Sequence, residues 1–190
     1  MGRKISNIFL FAGIILMLLS LGFKSYTKKL ENDKIENFEK SIEEYKEEPE
    51  ENKRLVNLNE EGEEIAIIEV PSIDLKSVIT QGTSNQNLRY YLGHFMNTRM
   101  PGEPGNFCIA GHNSNLYNEI LNNIHLVKES DLIKITTKDE EYNYYVKEKR
   151  IVEPNDVSVL EDDGDRKLMT IVTCTDKGNK RLVVIAEMES

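Results

Sequence analysis

Between Ile5 and Phe23 the chain runs nineteen residues without a charge, ISNIFLFAGIILMLLSLGF, and no other segment narrows the possible folds so far. As a helix it would be about 28 Å long, close to the hydrocarbon thickness of a bilayer. It has no polar face, so a buried helix of a soluble core is a poor reading. Arg3 and Lys4 precede it and Lys24, Lys28 and Lys29 follow, so flanking charge alone does not fix its orientation. Ser20-Leu21-Gly22 is a small-x-small triplet, which keeps a cleaved signal peptide as the rival. The run exceeds a usual signal core, which favours an uncleaved anchor over residues 1–23 with its N-terminus in the cytoplasm. Either reading puts residues 24–190 outside the membrane.

Residues 24–64 form a charged helical stalk or linker. The net charge of −9 divides into +2 for residues 1–23, −6 for 24–64 and −5 for 65–190. No part is basic enough, or interleaved with aromatics, for nucleic acid. Within the stalk Ile35, Phe38, Ile42 and Tyr45 fall at intervals of 3, 4 and 3, one apolar stripe on a helix that Glu48-Pro49 ends. Three intervals are too few for a coiled coil. The stripe is expected to rest on the domain that follows and set it off from the membrane.

From Ile65 the pattern changes to short strands separated by turns. Ile65–Val70 stops at Pro71, and Ile73–Ile79 alternates up to the turn Gln81–Asn85. A helical turn over Asn87–Tyr91 leads to Leu92–Phe95. The connector Met100–Gly105 precedes a strand over Asn106–Ala110. Ser114–Ile124 reads as a helix. Leu132–Thr137 and Tyr142–Val146 flank a hairpin turn, and Arg150–Val152 continues or follows the second arm. A polar loop over 153–167 leads to Leu168–Val172 and then Arg181–Ala186. Seven or eight short strands with little helix make a mostly β domain over 65–190, a closed or nearly closed barrel.

Three ionisable groups stand at the ends of such strands. Cys174 ends Thr170-Ile171-Val172-Thr173-Cys174, Arg181 opens the strand after the turn 175–180, and His112 follows Phe107–Gly111. Cysteine, histidine and arginine so placed suit a nucleophile, a proton shuttle and an oxyanion stabiliser. Cys108 lies four residues before His112, roughly 13 Å along a strand. If His112 meets Cys174, that is too far for a disulfide, whose Cα atoms stand about 4.4–6.8 Å apart. Two free thiols are expected. His125, between Ile124 and Leu126, reads as a surface or capping residue, and His94 in Gly93-His94-Phe95 competes for a place in the cleft. No cysteine pair has zinc-ligand spacing and the three histidines make no metal cluster.

Together these residues resemble the sortases, cysteine transpeptidases anchored on the outer face of Gram-positive membranes. Thr170–Cys174 is similar to the family's T-L-x-T-C motif with Ile171 in place of leucine. Arg181-Leu182-Val183-Val184 and Ala110-Gly111-His112-Asn113 match its arginine and histidine segments. Gly93-His94-Phe95 and Pro101–Asn106 add to the likeness, which covers roughly residues 65–188. The resemblance implies an eight-stranded sortase-type barrel and a two-step reaction. Cys174 would attack the carbonyl of a threonine in a C-terminal, LPxTG-like sorting signal, giving a thioacyl enzyme. An amine of a peptidoglycan precursor or a pilin would then release it. His112 would shuttle the proton and Arg181 would hold the oxyanion, with Thr173 and His94 assigned to substrate binding.

The resemblance also sets a subclass. No C-terminal apolar segment, no aromatic lid motif before Ile65 and no long insertion before the cysteine strand are present. This leaves a class D-like enzyme, with class A-like as second choice. No cofactor is expected. Calcium at the acidic run Glu161–Asp165, as in some relatives, is the alternative to a solvated turn, which the lack of EF-hand spacing favours. Two other functions stay open. One is a hydrolytic cysteine peptidase with the same residues, and the other is a non-enzymatic, membrane-tethered binding barrel.

Overall fold

The computed structural model describes residues 2–49, 60–113, 120–175 and 178–189, with side chains from residue 7. The first element, α1 (Gly2–Glu47), is one helix of 46 residues that carries both the apolar run and the charged stalk. It is long and apolar enough to cross a membrane, and none of its most apolar window is buried against the rest of the protein. Ile35, Phe38 and Ile42 form a separate buried cluster with Ile67 and Val78 of the barrel. The stripe in the stalk is thus a docking face. Residues 50–59 of the linker lie outside the described residues.

Eight strands follow: β1 (Glu64–Val70), β2 (Leu75–Gln81), β3 (Leu92–His94), β4 (Gly105–Gly111), β5 (Leu132–Thr136), β6 (Glu141–Val152), β7 (Lys167–Thr175) and β8 (Lys180–Met188). They close in the order β1-β2-β3-β4-β7-β8-β6-β5, a barrel without a free edge. Two pairs are parallel, β2 with β3 and β4 with β7. A parallel pair needs a crossover. Between β2 and β3 the crossover holds the short helix α2 (Asn85–Leu88), capped by the Ser84 hydroxyl, which accepts from the Asn87 N–H. Gly82 supplies a positive φ of 85° where the chain leaves β2.

Alternation along the strands builds the core. Phe107 and Ile109 of β4, Met169 and Ile171 of β7, and Val184 and Ala186 of β8 all point inward with Ile68, Ile79, Ile133 and Tyr144. The Tyr144 hydroxyl accepts from the Gly102 N–H at 2.8 Å, so the connector Met100–Gly105 is tied to the core.

One open expectation is settled and another changes. Tyr142–Val146 and Arg150–Val152 belong to one twelve-residue strand, β6, which stays paired to β8 across a register shift between Val146 and Glu148. A bulge absorbs the extra residue, so the polar stretch 147–149 does not end the strand. The helix expected over Ser114–Ile124 also differs. Its first six residues lie outside the described residues, Ile120–Asn123 are turns, and Ile124–Leu126 form a 3-10 turn. Asparagine competes with helical backbone bonding, and here Asn122-Asn123 favours the turn. His125 bonds the Asn122 carbonyl through Nδ1 at 2.8 Å, a local role at this turn.

Candidate active site

The parallel pairing of β4 with β7 brings together residues more than sixty positions apart. Gly111 is level with Thr173, and His112 and Cys174 are the next residues of each strand path. On the other side of β7, antiparallel β8 sets Arg181 directly opposite Cys174. Residues level with each other in adjacent strands point to the same face. His112, Cys174 and Arg181 therefore share the outer face at one rim of the barrel, and each is partly exposed. The Asn113 side-chain amide donates to the Cys174 carbonyl at 3.2 Å, which ties the segment after β4 to the end of β7. Arg181 Nη1 donates to the carbonyls of Gly178 (2.9 Å) and Lys180 (3.1 Å), holding the guanidinium over the β7–β8 turn. Asp176 and Lys177 of that turn lie outside the described residues.

Below the rim the same face continues as a groove. Ala110 and Val172, both half-buried, are level with each other and make an apolar step, and beyond them Cys108 and Thr170, also level, are buried under the segment between β6 and β7. The segment between β6 and β7 lies over this face. Asn106, 3 % exposed, donates from Nδ2 to the carbonyls of Val159 and Glu161 (both 3.1 Å) and accepts from the Thr170 hydroxyl (2.9 Å). The Asp162 carboxylate accepts from the Asn106 N–H (3.1 Å) and from Arg99 Nε (2.9 Å) and pairs with Arg99 Nη2 (2.7 Å). The Arg99 bond holds that carboxyl below its usual range. A cavity of about 500 Å³ opens between this segment and the outer faces of β6, β7 and β8, lined in part by Arg150, Glu161, Thr170 and Ile185. Sequence reading missed Asn106 and Asp162. A polar residue at the start of an otherwise apolar β4 was the available signal for Asn106.

Thr173 and His94 take places other than a substrate surface. Thr173 points inward, 2 % exposed, and its hydroxyl donates to the Gly111 carbonyl at 2.8 Å, locking the two strands that carry Cys174 and His112. His94 is 1 % exposed. It is level with Ile109 of β4, and Ile109 with Ile171 of β7, three residues short of Cys174. Its Nε2 meets the Arg99 carbonyl and Thr98 hydroxyl (both 3.1 Å), and its Nδ1 meets the Gln81 amide at 2.7 Å. Burial pushes its pKa down to about 4, so the ring is neutral at pH 7. A carbonyl only accepts, so Nε2 carries the proton. Phe107 packs against the ring with centroids 5.1 Å apart.

Both thiols are free, Cys108 buried and Cys174 partly exposed. Burial pushes Cys108 up to about 12, which leaves it a neutral, unreactive thiol. Among the described residues no group of three or more acidic, histidine or cysteine side chains is arranged to hold a metal. Within the acidic run, Asp162 is engaged by Arg99 and Asp163 by Arg166 (2.6 Å).

Comparison with known proteins meets this geometry. The model of the sortase domain matches residues 68–189. Sortase A of Listeria monocytogenes is 29% identical over 127 residues, 66% of this chain and 56% of that protein. Sortase D of Bacillus subtilis is 23% identical over 115 residues, 60% of this chain and 56% of that protein. The chain thus spans little more than half the length of these curated relatives. Among solved structures, the Clostridium perfringens Sortase D5 transpeptidase is 37% identical with a TM-score of 0.68, covering 87% of this chain and 99% of that one. Clostridium perfringens sortase C, solved with the C-terminal cell wall sorting motif, shares the fold at 23% identity and a TM-score of 0.66, over 89% of this chain and 98% of that one. The chain belongs to the sortase family. Its likeness to the two sortase D proteins accords with a class D-like member.

Proposed function

We propose that the chain is a membrane-anchored cysteine transpeptidase acting on a C-terminal sorting signal. The observation that carries this reading is the shared rim position of Cys174, His112 and Arg181 on three adjacent strands. The Cys174 sulfur, its proton taken by His112, attacks the carbonyl carbon of a threonine in an LPxTG-like motif. The tetrahedral oxyanion forms beside Arg181. The C–N bond breaks, the amine leaves with the proton from His112, and a thioester remains on Cys174. A second amine, on a peptidoglycan precursor or a pilin, loses its proton to His112, attacks the thioester and returns the thiol. The groove from Ala110 and Val172 toward Thr170 holds the motif in extended form. The apolar part of α1 anchors the enzyme by a single pass, with the barrel on the extracellular face. Support for the substrate class comes from the sortase C relative solved with a cell wall sorting motif.

The test uses the full chain in detergent with labelled sorting-motif peptides and a free amine, read by mass spectrometry. The expected outcome is a peptide joined to the amine, lost in both Cys174→Ala and His112→Ala. Cleavage that survives Cys174→Ala would remove the nucleophile from its role. Cleavage without amine capture at any acceptor would make the protein a hydrolytic peptidase, and binding without reaction would make it a binding barrel.

A further inference from the structure

The helix that reaches the membrane does not hang free of the barrel. Every large apolar side chain from Ile8 to Phe23 is exposed, 45–74 %. Thr27, only about 6 Å further along the axis, is 2 % exposed. From there one face of α1 is in continuous contact with the domain. Glu31 accepts from the Ser77 hydroxyl (2.9 Å), and Lys34 pairs with Glu64 and lies 5.0 Å from the centre of the Tyr91 ring. Ile35, Phe38 and Ile42 pack on Ile67 and Val78, and Glu39 pairs with Lys76 at 2.8 Å. Spacings of three and four residues run through the whole series, as one helix face requires. Neither glycine nor proline interrupts the chain between Phe23 and Glu47, and α1 has no break there. Nothing along this path acts as a hinge.

The barrel groups nearest the base of α1 have interfacial chemistry. Burial, and after it the nearby carboxylates of Glu64 and Glu31, hold the Tyr91 hydroxyl above its usual pKa, and Tyr90 and Tyr26 are its neighbours. Tyr90 packs beside it with ring centroids 6.2 Å apart. Tyr26 is 59 % exposed, and Lys24, Lys28 and Lys29 of α1 and Arg89, next to Tyr90 in the chain, are exposed as well. Tyrosines at the level of the headgroups and cations facing anionic lipid are the side chains that a bilayer surface takes.

We propose that the face formed by Tyr26, Lys28, Arg89 and Tyr90 rests on the phospholipid headgroup layer, held there by the unbroken, docked helix. It rests on the reading of α1 as a membrane span. The barrel then has a fixed height, and its groove meets only chains whose reactive segment lies near the bilayer surface.

The sequence contains no tryptophan, so a single introduced indole reports position. The full chain carrying Tyr90→Trp is placed in vesicles of phosphatidylcholine and phosphatidylglycerol, part of the phosphatidylcholine bearing a nitroxide on its headgroup. Tyr45→Trp, roughly 33 Å above Phe23 along the helix, is the control. The Tyr90→Trp protein is expected to lose most of its indole emission and the Tyr45→Trp protein little. Seven alanine and lysine residues inserted between Phe23 and Lys24 lift the barrel by about 10.5 Å and nearly keep the helix phase. They are expected to restore the emission of the Tyr90→Trp protein. Equal quenching at both positions in protein that floats with the vesicles overturns the proposal, as does quenching that survives the insertion. Protein that fails to float overturns the membrane span itself and the proposal with it.

Discussion

At the scale of single residues, period-two alternation on β7 separates reactive groups from supporting ones. Cys174 faces the groove while Thr173, its neighbour, faces the core and bonds across to β4. That inward position was legible in principle, because fixing Cys174 outward fixes Thr173 inward. The surroundings of His94 were not legible, because Gln81, Thr98 and Arg99 converge on it from separate segments. The neutral ring of His94 has a consequence for acid stability. Its folded pKa, about 4, lies below the ordinary value of 6.5, so its contribution is whole above pH 6.5 and is lost as pH falls toward 4. The loss is expected to reach roughly 3 kcal/mol. Urea midpoints measured from pH 7 to pH 4 check it, with His94→Gln expected to flatten the fall between pH 6.5 and 4.5. A variant with the same pH slope as the wild type would remove His94 as the cause. The carboxylates held low by ion pairs, such as Asp162 and Glu187, act in a lower window, below about pH 4.5.

At the scale of elements, the segment between β6 and β7 is the part of the groove that depends on a few bonds. It has one short 3-10 turn, Ser158–Leu160, and is held from beneath by Asn106 and at its edge by the Arg99–Asp162 pair. The Asp162 side chain is 40% exposed, so solvent screens the pair, and its loss loosens the segment without unfolding the barrel. Asp162→Ala is therefore expected to raise KM for a sorting peptide about fivefold with kcat nearly unchanged. Steady-state kinetics decide it, since a fall in kcat with constant KM would place the effect on the chemistry and not on the groove wall. Strand patterning located six of the eight strands within a few residues of their bounds, because apolar runs between turn residues are a local signal. It left open whether Arg150–Val152 continued the second hairpin arm, and it placed the second strand two residues early, where Pro71–Ile73 form a 3-10 turn before Leu75. Neither a bulge nor a single 3-10 turn has an apolar period to read.

At the scale of the whole molecule, a closed barrel and a docked helix share one chain. The sequence reading reached the barrel from the number of strands, proposed catalytic residues at its rim from three motifs, and took the stripe on the stalk as a resting face. The pairing of β4 with β7 is a contact across more than sixty residues, which the motifs implied only through family resemblance. Phe38, 3% exposed against Ile67 and Val78, is the centre of the docking face. Phe38→Ala is expected to cost about 3 kcal/mol and to raise hydrogen exchange in β1 and β2 ahead of the rest of the barrel. Unchanged protection there would mean that the helix adds nothing to the domain. The position of β7 also governs how the protein comes into being. Without residues 167–189 the remaining strands form an open sheet whose edges are β4 and β6, and open edges invite pairing with other chains. Residues 167–189 both seal that sheet and bring Cys174. A molecule without them therefore lacks the proposed nucleophile for the same reason that it lacks a closed wall.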